Sequence, residues 1–204
     1  MPLEIRRSTD RFTTSRPGST SWHSFSFGHH YDETNTSFGP VVAVNDELLE
    51  AGAGFEEHPH AGLVIVTYVI TGTLAHQGIS SREVAAGQAA VLRCGAGVVH
   101  AERNAGQGAL RFVQTWLATT APDVSYDVIS TSGLTEVAVV EQARVRVGTL
   151  PAGADLDVAG HLFVATGTVR LVEQVLADGD SLRTTEPVTV TASDPAQLVL
   201  VTAA

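Results

Sequence analysis

No stretch of this chain keeps its apolar residues at a helical spacing for long. What recurs is a short β-branched run closed by glycine, proline or aspartate. PVVAVND, VIVTYVITG, LRFVQTWL, VRVGTL, HLFVATG, PVTVTA and QLVLVTA are the clearest of these runs. RVRVGTL alternates polar and apolar residues, as a strand buried on one face does. VIVTYVI is almost continuously apolar and suits a strand covered on both faces. Strands this short and this frequent predict an all-β fold of antiparallel sheets closed into a sandwich or barrel.

The pattern also repeats. YVITGTLAH (68–76) reads like FVATGTVRL (163–171), with Gly72 and Gly167 at the matching turn. Downstream, VAAGQAAVLR corresponds to LADGDSLRTT, which aligns Gly87 with Gly179. The first pair of glycines stands 95 residues apart and the second 92, so the second copy is slightly tighter. Two β-barrel-like units are expected, residues 1–120 and 121–204, with TTAPDVS as the seam.

Composition narrows the function classes. An apolar fraction of 44% is enough for a sizeable core and excludes global disorder. The net charge is −10, and all 12 basic residues are arginine, so the chain repels phosphate backbones and direct nucleic-acid binding is not expected. The longest apolar run, Leu63 to Ile70, is far too short to cross a bilayer as a helix. MPLEIRRSTDRFTTSR lacks the apolar core of a secretory leader, and the single cysteine, Cys94, fits a reducing compartment. The expectation is a cytoplasmic protein, monomeric or homodimeric.

The chemistry sits in FEEHPHAG, residues 55–62, where His58 and His60 are spaced i and i+2. On a strand that spacing puts both imidazoles on one face, where they can converge on one point. Imidazole nitrogens are good ligands for divalent iron, copper, nickel or zinc. Two ligands do not suffice, and GAGVVHAERN offers two more at the same spacing, His100 and Glu102. Together the four would leave about two positions open on a six-coordinate ion, for water, oxygen or a substrate oxygen. Four-coordinate zinc is compatible as well. Stepping 95 residues on from His58 reaches Gly153, in a segment without an H-x-H, so the second copy has lost whatever the first copy does.

Three separated motifs, in order, then carry a resemblance. WHSFSFGHHYDETNTSFGP, GFEEHPHAGLVIVTYVITGTLAH, and AGVVHAERN followed by RFVQTWL resemble the pirin family of the cupin superfamily over about residues 1–120. The resemblance implies a bicupin of two jelly-roll barrels. Residues 1–120 would be the metal-binding barrel and residues 121–204 a degenerate one without metal. It implies His58, His60, His100 and Glu102 as ligands of a divalent ion, iron(II) foremost, with nickel, copper, manganese or zinc as alternatives. It further implies a quercetin 2,3-dioxygenase-type reaction on a flavonol-like aromatic with O2, in which Glu102 is both ligand and base. The alternative is a non-enzymatic iron-binding regulator that contacts a transcription factor or a metabolic enzyme. Where pirins usually read R-D-x-E after the second histidine, this chain has Ala61, Gly62 and Val64, which removes charge from the neighbourhood of the site. GQAAVLRCGAG likewise departs from the usual GDVQWM wording.

The remaining candidates carry plainer readings. His76 is either a residue behind the ligands or a surface strand histidine. His29 and His30 are expected in a solvated or packed loop, Cys94 as a buried thiol and His161 as structural. Glu56 and Glu57 are expected to be exposed, and Phe55 to be a pocket wall or core.

Overall fold

The computed structural model describes residues 3–141 and 143–203. It divides into two compact units, Phe12–Ser130 and the combination of Met1–Arg11 with Thr131–Ala204. The structure is nearly all strand and every pairing is antiparallel, as the short β-branched runs predict. Among the described residues no helix is long and apolar enough to cross a membrane.

One strand, β1 (Glu4–Arg6), precedes the unit Phe12–Ser130. That unit begins with β2 (Phe12–Arg16), β3 (Ser19–His23), β4 (Val41–Leu49), β5 (Gly54–His60), β6 (Leu63–Thr71) and β7 (Thr73–Gln77). It ends with β8 (Arg82–Ala85), β9 (Gln88–Cys94), β10 (Val98–Asn104), β11 (Leu110–Ala118) and β12 (Val124–Ser130). One sheet runs β12-β9-β6-β11-β4-β3-β2, and a smaller one runs β5-β10-β7-β8. Leu49, Val69, Ala90, Leu110 and Phe112 from the large sheet close against Leu74 and Val84 from the small one, and this is the main core. The near-continuous apolar strand β6 lies third in the seven-stranded sheet, between β9 and β11, with seven of its nine residues buried.

In the other unit the strands are β13 (Thr135–Val140), β14 (Ala143–Leu150), β15 (Asp155–Thr166), β16 (Val169–Leu171), β17 (Gln174–Leu176), β18 (Ser181–Ala192) and β19 (Ala196–Ala203). They form one sheet in the order β13-β14-β19-β15-β18-β16-β17, with β1 added beside β18. The repeat read from the glycines is therefore topological. The series β9-β6-β11-β4-β3 in one unit matches β18-β15-β19-β14-β13 in the other. The paired turn glycines share a left-handed backbone, with φ of 85° and 82° at Gly72 and Gly167 and 78° and 81° at Gly87 and Gly179.

The boundary lies at Ser130 and Thr131, one strand later than the seam expected at 120/121. The reason is that β12 pairs along its whole length with β9, from Val124↔Cys94 to Ser130↔Gln88. Residues 4–6 also leave the unit in which the sequence placed them, because Glu4↔Arg183 and Ile5↔Leu182 tie β1 to β18.

His161 is fully buried on β15, opposite Arg183, as its structural reading required. Burial first, and the Arg183 charge second, push its pKa down to about 3. Between that value and the ordinary histidine range, the unfolded chain holds a proton that the folded chain does not. Stability is thus complete above about pH 6.5 and falls with acidification by about 1.4 kcal/mol per pH unit. In urea titrations between pH 6.5 and 4, H161L should lose about one proton's worth of this slope relative to wild type.

Candidate metal centre

The site is built on one strand pair. In the β5–β10 register, His100 faces His58 and Val98 faces His60, after which the register shifts and Glu102 faces Phe55. Between these pairs β5 advances three residues while β10 advances two, so Glu56 and Glu57 together oppose Ala101. This is a β-bulge, and it decides which side chains point inward. Without it Phe55 and His58 would lie on opposite faces; with it both turn in, and the two glutamates turn out to solvent. β10 itself alternates strictly, with Val98, His100, Glu102 and Asn104 buried. Gly54 allows the strands to approach this closely, since a Cβ there would run into the Glu102 carbonyl oxygen.

His58, His60 and His100 come together. One donor atom from each lies within 4.8 Å of the others, and ring centroids are 4.5 Å apart for His58–His100 and 5.0 Å for His60–His100. His58 Nδ1–H donates to the Glu56 carbonyl at 2.7 Å, which fixes the tautomer and leaves its Nε2 lone pair free. The other nitrogens have no such outlet. His60 Nε2 and both ring nitrogens of His100 are buried without a hydrogen-bond partner among the described residues. An orphaned buried polar atom costs about 1–3 kcal/mol, and a cation held by His60 Nε2 and one nitrogen each of His58 and His100 would relieve that cost. Burial, with the neighbouring rings adding to it, holds His60 down at about 4 and His100 at about 3. Both are therefore neutral at pH 7, the form that ligates a metal.

Glu102 lies outside the three-histidine cluster but in the same wall. Its carboxylate accepts two 2.8 Å hydrogen bonds from Gln114 Nε2, and Trp116 Nε1–H donates to Gln114 Oε1 at 3.2 Å. Burial lifts Glu102 to about 7 against the opposing pull of the Gln114 amide. His76, opposite Glu102 on β7, is buried rather than on the surface. Its ring lies 5.1 Å from His100 and stacks on Tyr126 at 3.7 Å, with Nδ1 held by the Ser80 carbonyl. It stands behind the cluster, where the rings of His76 and Tyr126 back His100.

A cavity of about 430 Å³ opens beside His58 and Glu102, within the usual range for small-molecule sites. Phe27, Phe55 and Trp116 line it, and so does a polar group that the sequence reading did not pick out: Ser21, His23, Asn45, Glu47 and Gln114. His23 Nδ1 pairs with Asn45 Oδ1 at 2.9 Å. Glu47 is buried and raised to about 8, by burial first and by Glu102 and Asp46 besides, while the Ser21 hydroxyl donates to it and opposes the shift. The signal was present in PVVAVNDELLE and RFVQTWL, where polar residues interrupt strands that are otherwise apolar. Such residues face a cavity or a partner, because burying them without one is costly.

The other candidates fall as follows. His29 lines the cavity mouth, and His30 bonds Thr14 Oγ1 at 3.1 Å. Phe55 is both wall and core. Glu56 sits at the rim in a surface pair with Arg103. Cys94 is a buried thiol raised to about 11, which keeps it protonated and unreactive.

The second unit has the same strand pair with different contents. Where β5 and β10 set His58, His60, His100 and Glu102, the paired strands β15 and β18 of the second unit carry Leu156, Val158, Val190 and Ala192. All four are buried in that unit's hydrophobic core.

Comparison with known proteins agrees with this geometry. The chain is 34% identical over 232 residues to a Mycobacterium tuberculosis protein provisionally named a quercetin 2,3-dioxygenase, covering 97% of this chain and 93% of that protein. It is also 34% identical over 118 residues to the quercetin 2,3-dioxygenase of Escherichia coli, across 56% of this chain and 51% of that one. The crystal structure of the Escherichia coli bacterial pirin YhhW in complex with nickel(II) superposes with a TM-score of 0.89 at 23% identity, covering 98% of this chain and 97% of that chain. The fold is thus the bicupin expected. The Pirin family model matches residues 5–117, a span that contains all four residues of the β5–β10 claw, and the chain belongs to the pirin family.

Proposed function

We propose that the unit Phe12–Ser130 holds a divalent metal ion, iron(II) by first choice, on His58, His60, His100 and Glu102. With it the chain would act as a quercetin 2,3-dioxygenase-type enzyme on a flavonol-like aromatic. The observation that carries this reading is the convergence of three histidines at the edge of an aromatic-walled cavity, with His60 Nε2 and the His100 ring nitrogens buried and without a hydrogen-bond partner among the described residues. When bound, the ion would supply open coordination positions for a substrate oxygen and for O2. Phe27, Phe55 and Trp116 would hold a flat ring system and shed water from it. Glu102 would accept the proton of the substrate hydroxyl while Gln114 keeps its carboxylate aimed. The relatives named for quercetin 2,3-dioxygenase activity support the same class. Nickel, copper, manganese and zinc fit a histidine-rich donor set too, so the metal is to be identified by reconstitution.

The test is anaerobic loading with iron(II), then oxygen uptake with quercetin, for wild type, H58A and E102A. Metal-dependent oxygen consumption that both variants abolish is the expected result. Tight metal binding with no uptake would replace the enzyme by the regulatory alternative, a metal-binding protein whose partner is another protein.

A further inference from the structure

The cavity has polar wall residues that the proposed chemistry does not use. Glu47 on β4 is only 4% exposed and faces the cavity. The Ser21 hydroxyl donates to its Oε2, while among the described residues its Oε1 has no hydrogen-bond partner, and Arg16 on the same cavity wall acts on it through its charge without forming an ion pair. The neighbouring Asp46 is treated quite differently by the same strand. It points to the opposite face, where Arg111 grips both of its oxygens at 2.9 Å. The fold thus supplies a bidentate arginine to the carboxylate that faces away from the cavity and none to the one that faces into it. A buried carboxyl kept for stability would carry a partner, because an uncompensated one is destabilising.

We infer that Glu47 is a substrate-positioning and specificity-determining residue, which exchanges a hydrogen bond with a hydroxyl of an aromatic substrate other than the one that meets the metal. This rests on the reading of the site as one that takes an aromatic hydroxyl at the metal end. A hydroxyl both donates and accepts, so it pairs with a carboxyl in either protonation state. Phe27, Phe55 and Trp116 supply apolar wall to the same cavity. The substrate class is therefore an aromatic that carries a hydroxyl besides the one that meets the metal, in preference to one hydroxylated only there.

The experiment is an anaerobic titration of the iron(II)-loaded protein, followed by tryptophan fluorescence, with quercetin and with 3-hydroxyflavone. The second probe keeps the metal-facing hydroxyl and ketone and lacks the other hydroxyls. Wild type should bind quercetin about tenfold more tightly, the worth of one well-placed hydrogen bond. E47A should erase that preference while its 3-hydroxyflavone affinity and its iron content stay within about twofold of wild type. E47Q, which keeps a donor and an acceptor, should retain the preference. If E47A does not hold its fold, E47M, of similar volume and without a side-chain N or O atom, gives the same readout and should melt no lower than wild type. An unchanged quercetin preference in E47A or E47M would overturn the role of Glu47 and leave the proposed function standing. Failure of the iron-loaded wild type to bind either flavonol would overturn the proposed function, and this inference with it.

Discussion

H100V should bind iron(II) at least about a hundredfold more weakly than wild type, yet be no less stable than wild type when both are metal-free. The first half follows from position. His100 is the residue against which the rings of His58, His60 and His76 all lie, at 4.5, 5.0 and 5.1 Å, and it offers both nitrogens unpaired. Even the partners that merely orient metal ligands are worth ten- to a hundredfold in affinity, and a direct ligand is worth more. The second half follows from the other unit, where the paired strands β15 and β18 bury Val158 and Val190 in an apolar core. Valine removes two unsatisfied nitrogens from the interior, which offsets the packing lost with the ring. Metal content after dialysis and a urea titration in chelator test the two halves separately. A metal-free H100V that is much less stable than wild type would show that the imidazole has a structural role of its own.

Loading the wild-type protein with metal should raise its Tm by about 10 °C. An ion that binds only the folded state stabilises by RT ln(1 + [L]/Kd), about 4 kcal/mol at a thousandfold excess over Kd. For a chain of this length each kcal/mol moves Tm by about 2–4 °C. The gain should appear as slower amide exchange in β5 and β10 and leave β15 and β18 unchanged. Adding metal to H100V should give almost no shift. A wild-type Tm indifferent to every divalent ion tried would remove the metal centre, and the dioxygenase reading would fall with it.

Most of the fold was legible because β-branched runs and glycine turns are local signals. Gly72 and Gly167 need a left-handed backbone, and that need shows in the sequence without any tertiary context. The histidine claw was legible for the same reason, as an i, i+2 spacing is a property of one strand. The bulge at Glu56 and Glu57 was not, since it exists only in the pairing of β5 with β10 and leaves no mark on β5 alone. Glu47 and Gln114 were passed over because each belongs to a short polar run inside an otherwise apolar strand. Whether such a residue faces solvent, a partner or a cavity is settled by strands far away in sequence. The seam near residue 120 was displaced for a related reason. TTAPDVS has the composition of a linker, but the strand that follows it belongs by pairing to what came before.

The pairing of β1 with β18 has a consequence for how the chain is made. Residues 4–6 leave the ribosome well before residues 181–183, which bind them in the end. At 5–20 residues per second, roughly ten to thirty-five seconds separate the emergence of the two partners. In that interval everything from Phe12 to Ser130 is already available, including all four residues of the claw. The unit Phe12–Ser130 can thus close, with the candidate site inside it, while residues 4–6 still wait for their partner. Their sheet is completed late, and a chain released before β18 is made would keep the strands of the candidate site and lack the edge to which residues 4–6 pair.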